Sequence, residues 1–351
     1  MTHKENKTPE EIRSLRALHP QMRERDFARI HGISEADLVA SHTGLSVERL
    51  HADVEVLLNG LVACGEIMVL TRNESAVHEK IGIVEEVVIG PMASMTLGEN
   101  IDLRIFSSRW KFGFAVEKAG DEGAVRRSLQ FFDGQGNAIF KVHSRPATKL
   151  EAWALLVENL RHPDQSDHIA LEMPTAPVAT RDPAGPAELR EHWTAMTDTH
   201  QFFPMLKKLN LPRLDALEMV GEDFAWRLDH SAVQAMFDAV AGTDLPVMAF
   251  VFNQGCVQIH SGPIVNVKPM GPWLNVMDET FHLHLRLDQI ESVWGVRKPT
   301  SDGHVTSVEV YDANRDLIIQ FFGKRQEGAD ERAPWRDVVE QLPTFLRTDA
   351  A

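Results

Sequence analysis

His200 lies in the stretch TDTHQFF, residues 197–203, between a polar run and two phenylalanines. An imidazole offers a nitrogen lone pair to a metal, and phenylalanines offer flat apolar walls. Trp193, Met196, His200 and Phe203 recur at i, i+3, i+7 and i+10, which makes one helical stripe. Alternatively, Asp198 or Thr197 caps a new helix with Gln201 as reciprocal partner. Pro204 then sits in that helix or begins another. On pattern alone, a core histidine bonded to a backbone carbonyl outweighs a metal ligand.

Other constellations are weaker. In TFHLHLRL (280–287), His282, His284 and Arg286 point to one side of a strand and two imidazoles so spaced can chelate a metal. No carboxylate or further histidine lies at a ligand interval, so a polar strand face is the plainer reading. In NIDLRIF (100–106), Arg104 stands between Asp102 and Phe106 on one strand face, as a surface ion pair or as a donor facing a pocket. FFGKRQEG (321–328) lacks the spaced glycines and the Ser/Thr of a phosphate loop. No GxSxG, HExxH or GxGxxG occurs in a strand-to-helix context, so hydrolase and dinucleotide readings have no support.

The elements that must position these residues are written twice. A Pro/Ala-rich segment, MPTAPVATRDPAGPAE (173–188), reads as a linker near the middle of the chain. With a shift of about 180 residues the two halves echo one another, and a repeat this long is a duplicated domain. GEIMVLTRNESAVHEKIG (65–82) matches LPVMAFVFNQGCVQIHSG (245–262), with Met68 over Met248 and Asn73 over Asn253. FFDGQGNAIFKV (131–142) matches VYDANRDLIIQF (310–321). The division is therefore an N-terminal repeat over 1–172, a linker over 173–187 and a C-terminal repeat over 188–351.

Periodicity predicts helices over 9–31, 34–41, 46–62 and 149–161, then over 187–196, 199–209, 213–219, 231–241 and 333–345. Alternating β-branched runs predict strands over 246–252, 256–260, 263–268, 272–276, 280–286, 292–297, 304–311 and 316–323. Asp133-Gly134 and the PTSDG loop at 299–303 mark hairpins. Helices grouped before strands joined by short loops imply an α+β tandem duplication, each half a large antiparallel sheet packed with helices.

Composition narrows the function. The net charge of −15 repels phosphate backbones, so nucleic acid is not expected. The basic pairs Lys207-Lys208, Arg297-Lys298 and Lys324-Arg325 stand out against that background. The longest apolar runs are too short to span a bilayer, and MTHKENKTPEEIR lacks a secretory h-region. Only Cys64 and Cys256 occur, without CxxC spacing, which fits a reducing compartment, the cytoplasm.

WTAMTDTHQFFPMLKKLNLPR (193–213), RKPTSDGHVTSVEVYD (297–312), FFGKRQEG (321–328) and IDLRIFSSRW (101–110) together resemble the haem-degrading factor family, bacterial cytoplasmic haem-handling proteins encoded with haem-uptake systems. The resemblance covers nearly the whole chain. It implies one haem in a cleft on the C-terminal half, closed by part of the N-terminal half. The axial histidine falls on His200, and the distal arginine on Arg104, followed by Phe106. Propionate-side basic residues fall on Arg213, Lys298 and Arg325, and Gln320 and Phe250 match pocket positions. Many relatives carry a tyrosine where Phe322 stands, so one hydroxyl donor is lost here while an apolar wall remains.

The residue types suit that ligand, since iron takes a neutral imidazole, the disc takes apolar walls and the carboxylates take Arg and Lys. The resemblance implies a haem-binding protein that degrades haem to release iron, with oxygenase-like activity drawing on external electrons or peroxide. The alternative is a carrier that passes haem from an uptake transporter to a separate oxygenase without turnover. His78 is noted as a second, weaker metal ligand in the N-terminal half, against the plainer reading of a surface histidine. A homodimer is left open. Lys298→Ala is expected to loosen the propionate edge and leave the axial ligation nearly intact.

Overall fold

The computed structural model describes residues 7–120, 123–173, 182–324 and 333–345. The N-terminal repeat runs α1 (Pro9–Leu18), α2 (Glu24–His31), α3 (Glu35–Ala40), β1 (Val47–Leu50) and α4 (Val54–Ala63). It continues with β2 (Gly65–Arg72), β3 (Ala76–Gly82), β4 (Glu86–Val88), β5 (Ser94–Leu97), β6 (Asp102–Ile105), β7 (Phe112–Ala119), β8 (Val125–Phe132), β9 (Ala138–Thr148) and α5 (Leu150–Leu160). The C-terminal repeat opens with α6 (Pro186–Thr194), a 3-10 turn at Thr199–Gln201, α7 (Phe202–Leu209), α8 (Arg213–Val220), β10 (Ala225–Leu228) and α9 (Ala232–Val240). Its strands are β11 (Val247–Phe252), β12 (Cys256–Gly262), β13 (Val267–Met270), β14 (Trp273–Met277), β15 (Phe281–Arg286), β16 (Ser292–Thr300), β17 (Gly303–Tyr311) and β18 (Leu317–Gly323), and α10 (Ala333–Glu340) follows.

Local chemistry explains the boundaries. Thr8 and Ser34 form capping boxes with Glu11 and Asp37, and the Asp53 carboxylate caps α4. α2 and α7 both end on a left-handed residue, Gly32 and Asn210. The helix expected over 9–31 is broken at Leu18, because Pro20 disfavours helical backbone before it. The helix expected over 46–62 begins only at Val54, since Val47–Leu50 pairs with β7 as an edge strand. Its counterpart β10, which periodicity did not signal, pairs with β16 in the same way. A strand of four residues with a polar centre carries too little alternation to be read in sequence.

The strands form two nine-stranded antiparallel sheets, in the orders β1-β7-β8-β9-β2-β3-β15-β14-β13 and β10-β16-β17-β18-β11-β12-β6-β5-β4. Contacts divide the chain into two compact units, one of residues 1–72, 79–175 and 253–258, the other of 73–78, 176–252 and 259–351. Each unit thus holds a six-residue tip from the opposite repeat. In the first, the Asn253 amide donates to the carbonyls of Arg72 (3.0 Å) and Ile139 (2.7 Å). In the second, the Asn73 amide donates to those of Phe252 (3.1 Å) and Ile318 (2.7 Å). The asparagines matched by the repeat therefore do the same work in the two units.

In the second unit the sheet has two unlike faces. On one, Val293, Val308, Val310, Ile319, Phe321 and Val251 pack with α9 and α10 through Met236, Phe237 and Trp335. On the other, Trp294, Val296 and Tyr311 pack with α6, α7 and α8 through Trp193, Phe202 and Leu217. No helix among the described residues is long and apolar enough to cross a membrane.

Candidate functional site

The uncovered part of that second face is aromatic. The strand register sets Phe250, Gln320, Glu309 and Trp294 side by side, and Met248, Phe322, Ser307 and Val296 in the next row of the same face. Phe250 and Phe322 are half-buried and meet edge to face at 5.1 Å, while Phe252 stacks on Phe250 at 6.2 Å. Gln320 is buried, and its amide nitrogen has no hydrogen-bond partner among the described residues. A buried donor left unmatched costs about 1–3 kcal/mol, so it marks a position that a polar ligand atom would satisfy.

His200 lies on the 3-10 turn before α7, which is held at the end of β16 by the Ser301 N–H on the Thr197 carbonyl at 2.8 Å. Its side chain is 92% exposed, so it is not a core histidine, and its Nδ1 bonds a carboxylate rather than a carbonyl. The continuous helical stripe through Trp193, Met196, His200 and Phe203 is absent, because α6 ends at Thr194. The capping reading fits instead. Asp198 takes the His200 backbone N–H at 2.7 Å, and Thr197 and Gln201 bond reciprocally at 2.9 and 3.2 Å. Pro204 falls in the first turn of α7, where a missing N–H is tolerated. The same Asp198 oxygen accepts from His200 Nδ1 at 2.7 Å. A carboxylate only accepts, so Nδ1 carries a proton, and in the neutral ring Nε2 is then the nitrogen with the lone pair. Phe203 is 72% exposed nearby in sequence, and Phe202 is buried.

Beneath the turn sits a buried charge cluster. Glu309, 0% exposed, accepts from Arg213 Nε (2.8 Å) and Nη2 (2.7 Å), Lys298 Nζ (2.6 Å), Tyr311 Oη (2.7 Å) and Ser307 Oγ (3.1 Å). Burial pushes the Glu309 carboxyl upward, but the Arg213 and Lys298 cations prevail and hold it well below the usual range. Burial pushes Lys298 down to about 8, with Glu309 opposing. The Phe202 ring lies 4.6 Å from Lys298 Nζ and 5.0 Å from the Arg213 guanidinium carbon, and Phe322 lies 5.9 Å from Lys298 Nζ. Lys298 therefore links the helix that follows His200 to the aromatic strand face.

In the second unit Lys298 thus joins Arg213, through Glu309, to Phe322 and so to Phe250 and Gln320, while His200 stands on the turn two residues before Phe202. Arg213 spends Nε and Nη2 on Glu309, and its side chain stays partly exposed. Lys298, 3% exposed, is committed to Glu309. Arg325 lies outside the described residues. Arg104 and Phe106 belong to the first unit. Arg104 donates to Asp102 on its own strand and to the Leu103 carbonyl at 2.9 Å, and burial raises the Asp102 carboxyl against the pull of Arg104. Phe106 is half-buried just past β6, its N–H on the Gly255 carbonyl at 3.0 Å.

His78 corrects an expectation. It is not a surface histidine but 0% exposed, with its ring edge-on to Phe281 at 5.0 Å. The strand enters the core at that point, and imidazole is accepted there as an aromatic neighbour. His284 of the HLH pair bonds Asn275 at 2.6 Å and Arg286 pairs with Asp288, as on a polar strand face. Sequence reasoning did not reach Glu309. Its signal was a lone carboxylate in VTSVEVY, on the strand face shared with Ser307 and Tyr311.

These elements define the class as a duplicated α+β protein whose C-terminal repeat carries an accessible imidazole held by a carboxylate and a partly uncovered aromatic sheet face. Comparison with known proteins agrees with that class. The chain belongs to the family described as the haemin-degrading HemS.ChuX domain, whose model matches residues 32–160 and again 210–342. It is 38% identical over 328 residues to the hemin transport protein HmuS of Yersinia pestis, covering 93% of this chain and 94% of that one. Holo-PhuS, a heme-binding protein from Pseudomonas aeruginosa, superposes with a TM-score of 0.93 at 41% identity, over 97% of this chain and 100% of that one. ChuS, described as an E. coli heme oxygenase, gives 0.85 at 36% identity, over 93% and 98%.

Proposed function

We propose that this chain is a cytoplasmic protein that binds haem on its C-terminal repeat, residues 188–351, and breaks it down to release iron. The observation that carries the reading is an exposed imidazole on the turn before Phe202, in the same unit as an aromatic strand face whose buried Gln320 amide nitrogen lacks a partner among the described residues. A haem is a flat apolar disc with a metal at its centre and two carboxylates on one edge. His200 Nε2 would take the iron. Phe250 and Phe322 would flank the disc, and Gln320 and Arg213 would hold the carboxylate edge. Arg104, which the family resemblance marks as the distal donor, would act on the other side of the disc, with Phe106 beside it. Electrons or peroxide would come from outside the chain.

Family names favour both turnover and carriage, since one relative is described as a transport protein and another as an oxygenase. The deciding experiment titrates the pure protein with haemin, adds ascorbate or peroxide, and follows the Soret band and free iron. Band loss with iron release, slowed by Arg104→Ala, supports degradation. A stable band that transfers to an added haem oxygenase supports the carrier reading. His200→Ala is expected to change the iron's coordination and weaken retention. If it binds haemin with the wild-type spectrum, the proposal fails.

A further inference from the structure

We propose that Asp198 is a positioning residue that holds His200 as the Nδ1–H tautomer and makes Nε2 a stronger donor, so that the site favours ferric over ferrous iron. This rests on the haem reading above. The motivating geometry is one carboxylate oxygen that receives both the His200 backbone N–H and Nδ1, each at 2.7 Å. The turn that carries the carboxylate is itself anchored. Thr197 and Gln201 tie the turn across its ends, and the Ser301 N–H donates to the Thr197 carbonyl at 2.8 Å.

An exposed imidazole without such a partner rotates and exchanges its proton between two nitrogens. Only the tautomer with a bare Nε2 offers the outer nitrogen to a metal. A charged acceptor on the inner nitrogen fixes the ring and raises its basicity, and losing such a partner typically costs about 10–100-fold in metal affinity. A more basic ligand stabilises the more highly charged metal.

The test uses the full chain as wild type, Asp198→Asn and Asp198→Ala. Asn caps the turn as well as Asp does, so it separates the cap from the charge. Ring nitrogen shifts of His200 in the haem-free protein should show Nδ1–H in wild type and a shift toward Nε2–H in Asp198→Ala. Haemin affinity should fall about tenfold in Asp198→Ala. In Asp198→Asn the midpoint potential of bound haem should rise, by about 59 mV for each tenfold preferential loss of ferric affinity. A wild-type ring protonated mainly on Nε2, or a potential unmoved in both variants, overturns the proposal. If His200→Ala keeps the wild-type haemin spectrum, the haem reading falls while the nitrogen shifts still decide the tautomer.

Discussion

Lys298→Ala tests the energetic core of the site. The Lys298 ammonium is buried, 2.6 Å from a Glu309 oxygen and 4.6 Å from the Phe202 ring. Breaking a buried pair by removing one partner costs about 3–5 kcal/mol, because the other charge stays buried. Glu309 keeps Arg213, Tyr311 and Ser307, so the lower end of that range applies, about 3 kcal/mol. Loss of the cation over Phe202 adds about 1–2 kcal/mol. Phe202 packs edge to face on Trp193 at 4.9 Å and stands two residues beyond His200, so its release disturbs the turn that carries the imidazole. The substitution should therefore lower stability and alter the haemin spectrum together, rather than loosen the propionate edge alone. Urea unfolding of wild type, Lys298→Ala and Lys298→Met, followed by tryptophan fluorescence beside a haemin titration, checks this. The two units need not unfold as one, so each transition is fitted separately. A loss below about 0.5 kcal/mol, within the range of ordinary surface changes, refutes the reasoning. So does a wild-type axial spectrum accompanied by weaker binding.

The remaining expectations follow from the same contacts. Glu309 is held below its usual range, so its contribution is present above about pH 4.3 and is lost as pH falls toward its folded value. Glu309→Gln should flatten the acid limb of a urea-midpoint profile. Lys298 is pushed down to about 8 against an unfolded value of about 10.4, so the unfolded chain binds more protons between them and stability rises with pH there. Lys298→Met should abolish that rise in the same profile. Asn73→Ala and Asn253→Ala each strip two carbonyls and two N–H groups of their partners and should cost at least about 2 kcal/mol, read by denaturant unfolding. Phe322→Tyr should slow haemin dissociation several-fold, measured by transfer to apomyoglobin, because it places a phenol beside Lys298 and Phe250.

The duplication, the class and most strands were legible because they rest on long repeats and alternating patterns. The matched asparagines 73 and 253 were visible as a repeat, yet their task was not. Each bonds carbonyls far away in sequence, and periodicity says nothing about such partners. His200 was legible as a suspicious residue, but not its exposure, since a break at Thr194 turned an apparent stripe into a separate turn. Lys298 read as a free cation because its neutraliser, Glu309, stands eleven residues away on the paired strand. Such a pairing needs the register between β16 and β17, and no local propensity supplies it.

Comparing the two repeats argues why the C-terminal one suits a flat apolar ligand. The registers make Lys118 the counterpart of Lys298, Gln130 of Glu309, Lys141 of Gln320, His143 of Phe322 and Leu70 of Phe250. Helices α2 and α7, equal in length, begin on Glu24 and Phe202. In the N-terminal repeat Glu24 serves as the carboxylate, pairing with Lys118 and with Lys141 at 3.5 Å; burial raises it, but those cations bring it down to about 2. In the C-terminal repeat the carboxylate stands on the strand as Glu309, which frees the helix start for an aromatic ring. Charge is then satisfied below the surface, and the surface is left to Phe250, Phe322 and a neutral carboxamide. The same positions in the N-terminal repeat hold an ammonium, an imidazole that burial pushes down to about 4, and a leucine. An apolar disc laid there would lie on the ion pairs of Glu24 with Lys118 and Lys141 and take water from their exposed atoms. Moving one carboxylate from helix to strand thus separates a charged face from an aromatic one on the same backbone.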